Sequence, residues 1–583
     1  MKKIKKYLLA FIVFAFTSCG SDFLDEKPLD FLSTANAFQN VADFNASVND
    51  LYSLVRYEFY TRNDFTPMEY LYHTDIAIQV ANGNSDFPVE FGPNSGLVDY
   101  HWKALYKIAA EANTVISRIP GSSLSDADKI LFEAKGKFFR AFAYRCLAYL
   151  YGGVPLITEE IVTEKNDFVR ATRSEVYAQV ISDLIFCTTN LPAINDLQLK
   201  DGEVSNLVAQ HLLAEVYLAD GQFQKAVDAA TVVISDPSMA LVTTRYGKSS
   251  TLFPSYDVYF DLFQPGNQNR KQANNKEALW VIQIEPDIIG GSAVSTGQGQ
   301  SYLLERVHAP LIRDVQFLDP ADNKYKSAFE WPVSDLTGGR GVGFLAPSNY
   351  WITQGYDDPT NDIRNANHNF VRKFKVTKAS SPLYGQEIDF ANLPAAAKGT
   401  GGVAITSGVY SRALYPYQSK ATTPGQHPAS MYVTSPSYPN ALLTNGSPGG
   451  TYADQYLMRL AETYLIRAEA YLGLANTTAA AADINVVRAR SNAAPVAPAN
   501  VDIDYILDER MREFGVEEKR MFTLTRLGKV YDRIVKCNQY YNGANGGKAV
   551  APHNNLWAIP QPQIERNRGA VLKQNPGYPG YTP

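Results

Sequence analysis

Fifty-nine acidic side chains, seven histidines and four cysteines are the residues from which this 583-residue chain could build a reactive centre. Glycoside hydrolysis asks least of them, because two carboxylates about 5–10 Å apart suffice, and so many acids leave that chemistry open. His73, His101, His211, His308, His368, His427 and His553 never form the H-E-x-x-H pair that sets two zinc ligands on one helix face. No G-x-S-x-G elbow presents a nucleophilic serine. Gly247-Lys248-Ser249 has the ending of a phosphate loop, but Val242 stands where the first glycine is required. The Gly-rich stretches 289–301 and 338–343 lack the dinucleotide pattern and read as flexible loops. Asp357, Asp358 and Asp362 carry the oxygen donors that suit Ca²⁺, and equally the composition of a solvated acidic loop. The cysteines, at 19, 146, 187 and 537, have no metal-type spacing. No cofactor is expected.

Binding chemistry is better supplied. Sugar rings stack their CH faces on aromatic rings, and their hydroxyls pair with amides, carboxylates or arginine. With 36 Tyr and 29 Phe, most rings must fill helix contacts, so the informative aromatics are those in irregular segments. These are Phe87, Tyr302, Trp331 beside Pro332, and the neighbours Tyr350-Trp351 with Asn349 and Gln354 as amide donors. Each is a candidate ligand contact and, alternatively, a core side chain. Trp280 and Trp557 sit in apolar runs and Trp102 starts a helix, so those three read as structural. A net charge of −5 points to neither nucleic acid nor an acidic polymer as partner.

The elements that must position these residues are helices. From Leu457 to Asn492, apolar residues recur at 457, 460/461, 464/465, 468 and 471/472, the spacing of a buried helix face. Gly473 to Asn476 breaks it, and a second helix rich in small residues follows, giving a helical hairpin. Leu213-Ala214-Glu215-Val216-Tyr217-Leu218 repeats Arg467-Ala468-Glu469-Ala470-Tyr471-Leu472, and Arg140-Ala141-Phe142-Ala143-Tyr144 is a weaker copy. After Gly221-Gln222, Phe223, Ala226, Ala230, Val233 and Pro237 follow the second-helix pattern of a tetratricopeptide repeat. The expected fold is mostly α: a tetratricopeptide-like scaffold, mainly 35–240 and 453–535, interrupted by an irregular insertion with short strands at about 242–452. Insertions in such scaffolds tend to carry binding.

Periodicity and breakers predict helices over 35–57, 68–80, 102–119, 125–151 and 172–191, with a loop over 82–96 and a short β-like run from Ala278 to Ile284. In Ile506–Lys529 the acid–base spacing of Glu509, Arg510, Glu513, Glu518, Arg520 and Arg526 predicts structural ion pairs rather than catalysis. Asp362 and Arg364 read as an internal ion pair holding the insertion. Cys146 and Cys187 read as buried thiols, with one disulfide among the last three cysteines left open.

The N-terminus reads as an export signal. Lys2, Lys3, Lys5 and Lys6 precede an apolar run from Leu8 to Phe16, far short of the ~20 residues that span a bilayer as a helix. Thr17-Ser18-Cys19 closes it, so residues 1–18 read as a signal peptide and Cys19 as a lipidated residue, although Phe16 stands where leucine is commonest. A lipid chain anchors without a transmembrane helix.

Cys19-Gly20-Ser21-Asp22-Phe23-Leu24-Asp25-Glu26-Lys27-Pro28 resembles the mature start of SusD/RagB-type outer-membrane lipoproteins, as do Leu147–Thr158, Asn361–Arg364, Ile506–Lys529 and Leu556–Tyr578. The resemblance touches 19–58, 98–235 and 455–578. That family commonly has Asp where this chain has Thr523, so one ion pair is expected to be missing. The resemblance implies a tether at 19–34, a single domain at 35–583, and non-catalytic capture of a glycan or oligosaccharide at the cell surface. It also implies a SusC-like TonB-dependent transporter as partner and a lipid anchor in the outer membrane, facing outward. Capture of peptides or another non-sugar nutrient is the alternative within that family, and a surface glycoside hydrolase lies outside it.

Overall fold

The computed structural model describes residues 37–80, 87–286, 288, 291–292, 301–331, 333–433, 442–443, 447–543 and 549–582. The predicted signal peptide, Cys19 and the tether lie outside these residues.

A stack of antiparallel helices forms the frame: α1 (Val41–Arg56), α2 (Gly96–Arg118), α3 (Asp126–Tyr151), α4 (Arg173–Asn190), α5 (Asn206–Ala219) and α6 (Phe223–Ser235). From α2 to α6 each helix packs on the next. Local chemistry sets their ends. Ser125 Oγ accepts from the Asp128 N–H and starts α3, while Thr172 and Glu175 form a capping box on α4. α3 is buried along almost its whole length, with Phe138, Phe139, Phe142, Tyr144 and Tyr149 inside the core.

After α6 the chain leaves the stack for more than two hundred residues, then rejoins it. α7 (Leu304–His308) and α8 (Asn349–Gln354) are short helices of this excursion. α9 (Leu460–Gly473) packs directly on α6, and α10 (Thr477–Arg490) packs on α9, so the helical array continues as though uninterrupted. Matching ion pairs mark the repeat. On α3, Arg140 donates Nε and Nη2 to Asp183 of α4, both at 2.8 Å; on α9, Arg467 donates the same pair to Asp483 of α10 at 2.8 and 2.6 Å. The two sequence-matched glutamates are also clamped by arginine: Glu215 by Arg145 and Glu469 by Arg526. The helices α11 (Ile503–Glu513), α12 (Arg520–Leu527) and α13 (Val530–Cys537) close the frame.

The excursion carries most of the strands, all short and antiparallel. β1 (Ala77–Gln79) pairs β5 (Leu345–Pro347), and β2 (Ala278–Ile282) pairs β12 (Gln455–Arg459) where the excursion returns. β3 (Gln316–Asp319), β4 (Lys324–Ser327), β9 (Ala397–Lys398) and β10 (Ala404–Ile405) form a sheet in the order 10-9-3-4. β6 (Phe370–Val371) pairs β11 (Tyr417–Gln418), and β7 (Lys373–Lys375) pairs β8 (Glu387–Asp389).

Several expectations are corrected. Met68–Val80 is not a helix: a 3₁₀ turn over Thr66–Met68 leads through turns to β1, whose pairing with β5 overrides the local periodicity. Leu457 belongs to β12, because the ladder with β2 captures the residues before α9. Phe87–Glu90 is a helical turn inside the segment read as a loop. The Pro-rich C-terminal segment packs along the end of α3, the Trp557 N–H donating to the Leu150 carbonyl at 2.7 Å, and includes a turn of helix over Gln561–Arg566.

The C-terminal charges form a buried ionic lattice. Arg364 donates to Asp362, Glu509 and Glu513; Arg459 to Glu277, Glu513 and Glu517; Arg520 to Asp75 and Glu518; Arg533 to Asp75 and Asp508. It joins the excursion (Glu277, Asp362, Arg364) to the frame. Burial alone would raise the Glu509 pKa, yet Arg364, Arg512 and Arg488 hold it down to about 2. Thr523 donates its hydroxyl to Glu518 Oε1 at 2.7 Å. Cys146, Cys187 and Cys537 are buried free thiols.

Candidate functional site

The five aromatic candidates are scattered. Phe87 is buried against Phe91, His73 and Tyr541. Tyr302 is buried edge-on against Tyr60. Trp351, on α8, is fully buried and stacked on Phe370 at 5.4 Å. The burial of these three rings has one cause. Each ring faces inward from a short element packed on the frame, so its faces are spent on protein. Tyr350, half-buried, donates its hydroxyl to Asp508 of α11 at 2.7 Å. Trp331 alone of the five is exposed, at 42%. Trp102, Trp280 and Trp557 are core residues, as expected.

The surface at Trp331 is assembled from several short elements. Arg313, on the 3₁₀ turn Ile312–Asp314 just before β3, sets its guanidinium 4.4 Å from the Trp331 ring centroid. Arg340 sets another at 4.7 Å. Arg340 lies in the Gly-rich run 338–343, which is a packed turn and not a flexible loop: a Cβ at Gly339 would strike the Glu305 carboxylate at 2.4 Å, and one at Gly341 the Ala309 and Pro310 carbonyls at 2.5 Å. The glycines let this turn lie flat on α7. α7 also carries Arg306, which pairs with Asp64 at 3.2 Å. Beside Asp64, Phe65 is 38% exposed and meets Phe344 edge-on. The Val80 N–H donates to the Phe344 carbonyl at 2.9 Å, which ties the end of β1 to this same edge.

The electrostatics here are one-sided. Burial together with Arg313 and Arg306 pushes the Arg340 pKa down to about 10, against a weaker pull from Glu305. Glu305 is engaged elsewhere: Oε1 accepts the Arg340 backbone N–H at 2.8 Å, and Oε2 meets His427 Nε2 at 2.9 Å. Nε and Nη1 of Arg340 are buried without a hydrogen-bond partner. Sequence reasoning chose Trp331 but missed these arginines, because nothing local marks residues 306, 313 and 340 as neighbours.

A second, more polar cleft of about 340 Å³ lies beside α8, lined by Thr353, Asn365, Asn367, Arg372, Lys373 and Asp389 among others. The acids considered for Ca²⁺ are committed. Asp362 pairs with Arg364, Asp357 with Arg488 and Tyr505, and Asp358 accepts the Ala494 N–H. Among the described residues no group of three or more His, Cys, Asp or Glu is placed to hold a metal. Asp454 is a carboxyl raised by burial, to about 6, yet both its oxygens accept protein hydrogen bonds, from the Ile284 N–H and Asn269.

Comparison with known proteins places this architecture. The sequence profile of the SusD family matches residues 320–578, and one described as starch-binding, associating with the outer membrane, matches 22–218. SusD-like protein P2 of Formosa agariphila is 26% identical over 99% of this chain and 100% of its own length. A solved laminarin-binding SusD-like protein superposes with a TM-score of 0.63 at 22% identity, over 93% of this chain and all of that one. Surface glycan-binding protein A from Bacteroides thetaiotaomicron, solved with laminarihexaose, superposes at 0.61 and 19% identity over 92% and 99%. With its helical repeat frame, its long excursion and these two profile matches at either end, the chain belongs to the SusD-like family.

Proposed function

We propose that this protein binds a glycan or oligosaccharide outside the cell and passes it to a SusC-like TonB-dependent transporter. In this reading Cys19 carries the lipid that holds it on the outer membrane, residues 1–18 are removed, 19–34 form the tether, and 35–583 act as one domain. Trp331 carries the ligand assignment. It is a large ring, 42% exposed, on the excursion rather than on the frame, and exposed aromatics edged by donors are what sugar recognition uses. Tyr350, Asn349 and Gln354, on the helix α8 that contributes Ile352 and Thr353 to the polar cleft, are secondary candidates. The solved laminarin-binding SusD-like protein and the glycan-binding protein solved with laminarihexaose support the ligand class.

The charges support capture without catalysis. A glycosidase needs one acid held neutral near pH 6–7 beside an ionised partner. Here arginines hold the carboxyls of Glu509 and Asp75 down to about 2, and Asp454, which burial raises to about 6, has both oxygens taken by the Ile284 N–H and Asn269.

The test is binding of the soluble protein, starting after Cys19, to immobilised polysaccharides, with Trp331→Ala in parallel. Binding to one glycan that fails in the variant supports both ligand class and site. Binding to peptides in place of every glycan would replace the ligand class. Co-purification with a TonB-dependent transporter from outer membranes tests the partner.

A further inference from the structure

We propose that Arg313 and Arg340, together with Arg306, make the Trp331 surface a subsite for an anionic substituent on the ligand: a sulfate ester or a uronate carboxylate. This deepens the glycan reading and rests on it.

The argument is one of unspent charge. Two guanidinium groups converge on a single indole, at 4.4 and 4.7 Å from its centroid. An indole face offsets part of a cation's desolvation, but it supplies no hydrogen-bond acceptor. Arg340 has no carboxylate within ion-pair distance among the described residues, and two of its nitrogens, Nε and Nη1, are buried and unpartnered. A buried donor left without an acceptor is costly, and like charges set side by side add to that cost. Two other buried arginines show the contrast in charge: Arg364 meets three carboxylates and Arg459 three. Among the described residues the only carboxylate paired with Arg313 is Asp314, at 3.6 Å, and the only one paired with Arg306 is Asp64, at 3.2 Å. The backbones of Arg306 and Arg340 are adjacent: a Cβ placed on Gly449 would meet Arg306 Cβ at 2.7 Å and the Arg340 carbonyl at 3.0 Å.

An oxyanion with two or three acceptor oxygens supplies what this cluster lacks. The planar fork of arginine matches sulfate and carboxylate alike. The sugar ring bearing that group would lie beside the exposed part of Trp331. The whole-chain charge of −5 hides this patch, because it averages over the balanced lattice.

The experiment uses the soluble protein after Cys19 and three sets of polysaccharide probes: neutral (laminarin, xylan), carboxylated (polygalacturonate, alginate) and sulfated (carrageenan, fucoidan). Arg340→Gln and Arg313→Gln are measured alongside, with thermal melting as the folding check. The expected result is binding to a carboxylated or a sulfated probe that weakens roughly tenfold or more in each variant, and that falls as NaCl rises from about 50 to 500 mM. Which charged set binds identifies the anion. Arg313, on a partly exposed turn, carries the test if Arg340→Gln does not fold. Binding to a neutral probe alone, unchanged in the variants, overturns the subsite and leaves the glycan reading standing. Binding to an anionic probe that is indifferent to both substitutions overturns the subsite as well. Binding to no polysaccharide of any set overturns the subsite and the glycan reading together.

Discussion

Arg364 and Glu509 meet at 2.7 Å with both side chains fully buried, and through this pair the excursion is fastened to the helical frame. Arg364 follows the acid of its own turn, Asp362, and reaches across to α11, where Glu513 also accepts from it at 3.0 Å. Removing one member of a buried pair strands the other, at about 3–5 kcal/mol. Arg364→Ala should therefore lower the urea midpoint by an amount equivalent to about that much. A shift no larger than that of an exposed control such as Lys375→Ala would show that the lattice relaxes around the gap.

Trp331 and Trp351, twenty residues apart, should respond in opposite ways. Trp331→Ala removes an exposed ring and should alter stability by no more than about 0.5 kcal/mol while abolishing ligand binding. Trp351→Ala empties a fully buried site against Phe370 and should cost about 3–5 kcal/mol. Denaturant melts and binding isotherms on the same two preparations check both; binding lost only in Trp351→Ala would reverse the site assignment.

His427 sits between two acids, Nε2 at 2.9 Å from Glu305 and Nδ1 at 3.3 Å from Asp335. Burial opposes its protonation, but the Glu305 and Asp335 carboxylates raise its pKa to about 10. The folded pKa exceeds the unfolded value of about 6.5, so the stabilisation is complete below about pH 6.5 and is lost as pH climbs through about 10. His427→Gln should therefore cost stability at pH 6 and much less at pH 10. Melting temperatures of wild type and variant at both values read the difference; a pH-independent gap would mean that His427 is neutral in the fold.

Thr523 supplies one hydrogen bond to the buried ionic lattice. Its hydroxyl is the buried donor to Glu518, which also takes Arg510 at 2.6 Å. Thr523→Val keeps the shape and deletes the donor, and should cost about 1.5–3 kcal/mol because the acceptor is charged. Chemical denaturation gives the value directly.

Burial raises the thiols of Cys146 and Cys537 to about 12, and Cys187 in the same direction. A thiol so held is nearly all protonated at pH 8 and closed to reagents. The protein starting after Cys19 should give almost no reaction with a disulfide reagent when folded, and three thiols per chain in denaturant. Fast native reaction at any one would mark local opening there.

What the sequence determined by itself is local and repetitive. The 3.6-residue periodicity placed the frame helices to within six residues, and the match between 213–218 and 467–472 announced the repeat. The acids and arginines of 506–529 announced structural ion pairs, but most of their partners lie on other elements: Arg364 and Arg459 for Glu513, Asp75 for Arg520, Glu469 for Arg526. The tertiary structure decided everything that depends on distant partners. It made 77–79 a strand by giving it β5 to pair with, and it turned the 338–343 glycines from a loop into a packed turn by setting α7 beneath them. Exposure cannot be read from one ring's neighbours in sequence. Phe87, Tyr302 and Trp351 matched Trp331 in local composition, and packing buried three and left one outside. Arginines 306, 313 and 340 meet only because three short elements fold onto one edge, and so the charge of the candidate site belongs to the fold and not to any stretch of the chain.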